Sequence, residues 1–317
     1  MAGMRKAALL YNPDSGGSGK HRRDLQSALA ILKHGGVEAE IILADSRDHG
    51  GEESRRAVAS GCDTVFACGG DGTINNVAQT LANTPVALAI LPMGTANALA
   101  HDLCLPLSVA AAARASLSAT TRRIALGKIT CNSLTGVPVT QYFTVAAGVG
   151  VDAHLFYKLH SGSKQRMGMA AYYAKAWNLL LTYSMAHFTA DYVDGAATTR
   201  RQMDITELLA VRIRQFGGIV REIAPGASLD RDDLRLILCR TSSRLAYLAY
   251  VARSVLGRSW TIPGIELVYS TSVRCDYSSA ADGRRRVYVE ADGELIGMLP
   301  AEITIVPDAL NLLIPRR

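Results

Sequence analysis

Two short segments within the first hundred residues have the composition of a phosphate-binding surface. Gly69-Gly70-Asp71-Gly72-Thr73 follows the apolar run at 64–68 and precedes a helical pattern. Glycines there let the backbone come close to a ligand, and the unpaired amides opening the next helix attract an anion such as phosphate. Asp71 is then a carboxylate among phosphates, which makes chemical sense if it binds a divalent cation or handles a hydroxyl proton. The alternative is a tight turn with Asp71 as its cap. Pro92-Met93-Gly94-Thr95-Ala96-Asn97 makes a second such turn one unit later, and residues 12–20 form a third glycine-rich segment. The third is no Walker loop, because Asp14 stands where that pattern needs its first glycine and His21 follows Lys20.

Turns of this kind need strands to aim them. The spacing predicts strands at 7–11, 38–43, 64–68 and 86–91, alternating with helices at 21–34, 52–60, 73–82 and 95–103. That rhythm predicts an α/β fold: a doubly wound, Rossmann-like parallel-sheet domain over residues 1–122. Parallel strands put both glycine turns on one sheet edge, where they form opposite walls of a cleft. From 123 to 317 the rhythm changes to strands, at 122–131, 139–147, 204–214, 234–240, 265–270, 286–290 and 302–306. Two helical inserts, at 166–183 and 244–256, interrupt this half, which reads as a β-sandwich or barrel whose last segment can pack back on the first domain.

Composition narrows the class. Hydrophobic residues are 49% of the 317 and charged ones 20%, a globular balance rather than a disordered one. A formal charge of +6 favours anionic partners. The basic residues are dispersed and no stacking-aromatic or helix-turn-helix signature accompanies them, which argues against nucleic acid. Cys62, Cys68, Cys104, Cys131, Cys239 and Cys275 include no C-x-x-C pair, so they are expected to be reduced core thiols of a cytoplasmic protein. The apolar stretch at 169–188 carries Lys175, Asn178 and His187, so no transmembrane span is expected.

Taken together, Asn12-Pro13-x-Ser15-Gly16, Gly69-Gly70-Asp71-Gly72-Thr73 and Leu91-Pro92-x-Gly94-Thr95-x-Asn97 resemble the diacylglycerol kinase catalytic domain, shared by bacterial diacylglycerol kinase-like, sphingosine and ceramide kinases. The likeness continues through Phe143 to Ala153, Ala224-Pro225-Gly226-Ala227 and a late Asp292-Gly293-Glu294. It implies a fold of the NAD kinase and diacylglycerol kinase type, with ATP between the two domains. Asn12, Pro13, Ser15, Gly16, Gly69, Gly70, Asp71, Gly72, Thr73, Gly94, Thr95 and Asn97 would hold the nucleotide. Asp292, assisted by Glu294, would take the proton from the attacking hydroxyl if the segment is extended; an Asp-Gly hairpin turn is the structural alternative. Mg2+ is implied, with Asp71 the first residue to touch it. A second, structural magnesium of some relatives would fall on Asp230, Asp233 and Leu234, although here Arg231 stands among the acids and the turn lacks a glycine.

Two further departures bear on substrate. Asn75-Asn76-Val77 lacks a glutamate that the family often carries, and Asn97-Ala98-Leu99 is closer to the sphingosine and ceramide kinases. The implied activity is ATP-dependent phosphorylation of a lipid hydroxyl by a protein peripherally associated with the membrane; a homodimer is compatible with it. Residues 164–188 and Arg284-Arg285-Arg286 are the candidate membrane contacts. A soluble NAD kinase-type phosphotransferase and a catalytically impaired nucleotide or lipid sensor are the rivals.

Overall fold

The computed structural model describes residues 4–13, 19–44, 50–160, 185–196, 199–217, 222–257, 260–278 and 286–315. The chain forms two compact units. The first comprises Met1–Leu126, Gln215–Gly218 and Pro307–Arg317, and the second Gly127–Arg214 and Ile219–Val306. The helix expected at 166–183 lies outside the described residues, as do Ser15, Gly16, Arg284 and Arg285.

In the first unit, β1 (Lys6–Tyr11), β2 (Glu38–Leu43), β3 (Thr64–Gly69) and β4 (Ala87–Pro92) are joined through α1 (Gly19–His34), α2 (Gly51–Ala59) and α3 (Asp71–Leu81). The closing part of the last strand, β15 (Glu294–Ile314), pairs in parallel with β4 through Asn311 and Leu312. The parallel order is β15-β4-β3-β1-β2. All six residues of β3 and of β4 are buried, because helices cover both sheet faces and such strands read as unbroken apolar runs. From β1 the chain steps to β2 on one side and β3 on the other, so the order reverses there, the place where open α/β sheets bind ligands. After β4 come α4 (Ala98–Asp102) and α5 (Val109–Leu117). The helix predicted at 95–103 is shorter than expected, and α5 was not predicted. Its alanines, Ala112 and Ala113, pack with Leu25, Ala28 and Leu32 of α1 in one core. Residues 116–121 are the end of α5 and the start of β5 (Thr120–Asn132), a strand that runs through Leu126.

The second unit is antiparallel. Its long sheet runs β12 (Ile265–Ser270), β11 (Leu234–Cys239), β10 (Glu207–Val211), β7 (Ala146–Gly150), β14 (Tyr288–Ala291), β15. Off this path, β13 (Ser272–Tyr277) joins β15 to β8 (Phe188–Asp194), β8 pairs with β9 (Thr199–Ile205), and β5 pairs with β15 and β6 (Pro138–Phe143). Every second residue turns inward: Phe188, Ala190 and Tyr192, then Leu234, Leu236 and Leu238, then Leu299, Ala301 and Ile303 share one core. This is the expected β-sandwich. The strand predicted at 139–147 is two strands, β6 and β7, and that at 204–214 is cut at Thr206. Among the described residues this unit also carries the helices α6 (Val151–His160) and α7 (Arg244–Leu256). Five cysteines are buried as expected, but Cys104 is exposed on the turn after α4. Among the described residues no helix is long and apolar enough to cross a membrane.

Candidate active site

Register brings the two glycine turns of the first unit together. Gly69 at the end of β3 pairs with Pro92 at the end of β4, so the chain leaves both strands side by side. A Cβ on Gly94 would stand 2.4 Å from the Gly70 Cα, a distance no side chain tolerates, so position 94 needs glycine, while a Cβ on Gly70 would meet the Gly94 Cα at a tight 3.2 Å. Asn97 holds the second turn shut on itself: its Oδ1 accepts from the Gly94 N–H at 3.0 Å and its Nδ2 donates to the Gly94 carbonyl at 2.9 Å. It does so from a left-handed backbone, φ 50°. Thr95 is exposed beside it, Thr73 is buried at the first turn of α3, and Asn12 is buried at the end of β1 with Pro13 exposed after it.

Asp71 is the first residue of α3, but its carboxylate is directed elsewhere. Burial pushes its pKa up, and the amides of Ala98, Leu99 and Asn97 at the start of α4 pull it back down by favouring the anion. The carboxylate therefore lies close to the start of the helix that follows the second turn. One oxygen, Oδ1, is buried without a hydrogen-bond partner, which leaves a lone-pair face for a cation or a donor.

Asp292 and Glu294 belong to the second unit. The extended geometry expected for them does not form: Asp292 (φ 47°) and Gly293 (φ 81°) are the two central residues of a tight hairpin turn between β14 and β15, with Ala291 paired to Glu294. Positive φ at both positions is the Asp-Gly signature of a type I′ turn. Asp292 Oδ2 accepts from the Thr144 N–H (2.8 Å) and Thr144 Oγ1 (3.0 Å), and Oδ1 from the N–H groups of Val145 (2.8 Å) and Ala146 (3.1 Å). These amides are lost to a β-ladder, which is why β6 and β7 are separate strands. Burial raises the Asp292 pKa while the Thr144, Val145 and Ala146 amides lower it. Glu294 is exposed.

Behind this turn lies a group of carboxyls that sequence reasoning missed. Glu290 is buried, and its Oε2 accepts from the Gly293 N–H at 2.9 Å. Its partner is Asp152 of α6, whose pKa burial pushes up to about 6 while the hydrogen bond to Glu290 pulls it down. Glu290 itself is driven well upward, by burial first and then by Asp152. Glu207, also raised by burial and by Asp152, accepts the Val151 and Asp152 amides and so caps α6. A single glutamate in the alternating run of β14 gave no sign of which groups its face would meet.

The expected second metal turn is placed at 228–234. Both oxygens of Asp233 are engaged by Arg231, from Nε at 2.7 Å and Nη2 at 2.5 Å. Leu234 is buried, and Asp230 is exposed with its amide on Ser228 Oγ. Among the described residues no three His, Cys, Asp or Glu side chains are placed to hold a metal ion. Burial lowers Arg212, which lies beneath the turn, to about 10, and Asp233 and Asp232 hold it up; it is charged at neutral pH.

Helix α7 also carries an unforeseen feature, an inverted amphipathicity. Its polar groups face the protein: Tyr247 shares a hydrogen bond with Thr206 Oγ1, Tyr250 donates to the Ile223 carbonyl, and Arg253 is buried over the Tyr250 ring. Its apolar ones face outward, with Leu245 78%, Val251 51% and Leu256 64% exposed. Between Arg240 and Glu266 the sequence has no acidic residue.

Comparison with known proteins agrees with this architecture. Residues 6–129 match the diacylglycerol kinase catalytic domain, and residues 144–314 match the YegS C-terminal NAD kinase beta sandwich-like domain. A protein of Staphylococcus epidermidis named diacylglycerol kinase is 27% identical, over 99% of this chain and 93% of its own length. Its namesake from Bacillus subtilis is 26% identical, over 99% and 97%. A crystal structure of a diacylglycerol kinase from Bacillus anthracis superposes with a TM-score of 0.71 at 18% identity, covering 100% of this chain and 98% of that one. Yeast NADH kinase shares the fold at a TM-score of 0.51 and 10% identity, over 99% and 84%. With both halves matched in order, the chain belongs to the diacylglycerol kinase family of lipid kinases, an α/β catalytic domain joined to an NAD kinase-like β-sandwich.

Proposed function

We propose that this protein transfers the γ-phosphoryl group of ATP to the hydroxyl of a membrane lipid, diacylglycerol or a sphingoid base or ceramide. The observation that carries the reading is the backbone contact between Gly70 and Gly94 at the exits of β3 and β4. Side chains are absent where the phosphates would lie, and the first-turn amides of α3 have no intrahelical acceptor, so they suit phosphate oxygens. Thr73 and Thr95 add hydroxyls at the same two turns, and Asn12 and Pro13 lie at the exit of β1. Asp71, with its unpartnered oxygen, would hold magnesium directly or through water. When bound, that ion neutralises charge on the phosphate oxygens.

In this reading Asp292 accepts the proton of the lipid hydroxyl, with Glu294 assisting. Its present bonding sets a condition. Four donors weaken it as a base, and three of them are backbone amides fixed by the hairpin. The fourth, the Thr144 hydroxyl, can rotate away and leave Oδ2 for the substrate. Access to the lipid is assigned to the outward face of α7, whose exposed leucines, with the exposed Arg244 at its start and no acidic residue between Arg240 and Glu266, suit an anionic bilayer surface, with the protein on the cytoplasmic side.

The test is transfer of labelled γ-phosphate from ATP with magnesium to diacylglycerol, sphingosine or ceramide in mixed micelles, beside NAD. Labelled lipid is the expected result and names the acceptor. Label in NAD alone would replace this reading with a soluble kinase, which the shared fold with yeast NADH kinase would then favour. ATP binding without any transfer would make the protein a sensor.

A further inference from the structure

We propose that Arg212, and not a divalent cation, is the positive centre that organises the 228–234 turn. The carbonyl oxygens of Arg231 and Asp233 converge on one atom, Arg212 Nη1, at 2.7 and 2.6 Å. Two chain carbonyls closing on a single positive point is what a hard metal ion imposes on a loop, and here a guanidinium does it. The Arg212 side chain is fully buried, so the charge is fixed in place and cannot move aside into solvent. A magnesium or calcium ion brought to the same carbonyls would have to sit against that buried cation, with like-charge repulsion in a poorly screened interior.

The remaining groups of the turn are committed in the same way. The Asp233 carboxylate is held in a two-pronged pair by Arg231. Arg231 lies over one ring, that of Tyr269, at 4.0 Å, and Arg235 lies over the same ring at 4.1 Å. Arg235 Nε in turn donates to the Pro225 carbonyl at 2.9 Å, and the Tyr269 hydroxyl donates to the Gly226 carbonyl. Ser228 Oγ accepts the Asp230 amide at 3.1 Å and donates to Asp230 Oδ2 at 3.4 Å. Three arginines and a tyrosine thus supply the electrostatics and the rigidity that a bound ion would otherwise supply. The inference is independent of which lipid, or whether any lipid, is the substrate.

Thermal melting of the full chain, without nucleotide, tests it. Wild-type protein should melt within about 1 °C in chelator and in millimolar magnesium or calcium, as expected for a folded state that gains no ligand here. Arg212→Met, which keeps the length and removes the charge, should lower Tm by about 5 °C or more, and neither ion should restore it. Should that variant not fold, Arg212→Lys keeps a cation able to reach the carbonyls and carries the same comparison. A rise of several degrees with magnesium or calcium that vanishes in Asp233→Asn would overturn the proposal. A rise untouched by Asp233→Asn arises elsewhere and leaves the turn free of metal, as proposed.

Discussion

Asp292 accepts a hydrogen bond from the Thr144 hydroxyl, and removing that bond should be visible in its basicity. Thr144→Val deletes the hydroxyl that donates to Oδ2 while leaving the three amides. A carboxylate that loses a donor is a stronger base with a higher pKa. The acid limb of kcat/KM should therefore move to higher pH in Thr144→Val, with Tm nearly unchanged, since a single hydrogen bond contributes only about 1 kcal/mol. An acid limb at its wild-type position would remove Asp292 from the role of base. Asp292→Asn is a poorer probe, because its amide nitrogen would face backbone N–H donors and cost stability as well as activity. The buried acids give a second expectation. Asp152, Glu290 and Glu207 all bind their protons more tightly folded than unfolded. The folded state then holds protons that the unfolded chain has released, so stability falls as pH rises from the ordinary carboxylate range through at least the Asp152 value of about 6. Glu290→Gln imitates the protonated form, able to accept from Gly293 and to donate to Asp152. It should melt like wild type near pH 5 and above it at pH 8; equal Tm curves would show that no proton is held there.

At the level of elements, what the sequence disclosed depended on how many faces of each element are buried. The strands β1, β3 and β4 are covered on both sides and announce themselves as apolar runs, and the glycine turns follow directly at their ends. Strands β8, β9 and β13 were not legible because their outer positions carry Asp191, Arg200, Arg201, Arg274 and Asp276, which break the pattern. Helix α5 buries small alanines and has little apolar period to read. The two carboxylates around Gly293 were found by motif, and the Asp-Gly pair itself signalled the hairpin turn that forms in place of the extended chain. Helix α7 was found, and its orientation was not: periodicity locates an apolar face without saying which way it points. That orientation makes a prediction. Replacing Leu245 and Leu256 by glutamate should reduce turnover of micellar lipid about tenfold or more. Rates on a short-chain, water-soluble acceptor and the Tm should stay close to wild type, because both side chains are exposed. Equal losses on both acceptors would assign α7 to the fold and not to the interface.

For the whole molecule, the formal charge of +6 implies a binding term that is sensitive to ionic strength. Flotation with vesicles should show the protein on anionic bilayers and not on neutral ones, and release as salt rises; binding indifferent to lipid charge would leave only the apolar contribution. The two glycine turns of the first unit touch at Gly70 and Gly94, where the phosphates would lie. Gly70 has φ −92°, which alanine adopts without strain, and a Cβ there would meet the Gly94 Cα at 3.2 Å. Gly70→Ala should therefore fold, with the turns pressed a few tenths of an ångström apart and a methyl group on the surface where the phosphates would lie. The most direct measurement is a titration of wild type and Gly70→Ala with ATP. Affinity reduced about tenfold or more, at a Tm within a few degrees of wild type, is the result predicted here; ATP bound equally well by both proteins would place the nucleotide elsewhere and contradict the assignment.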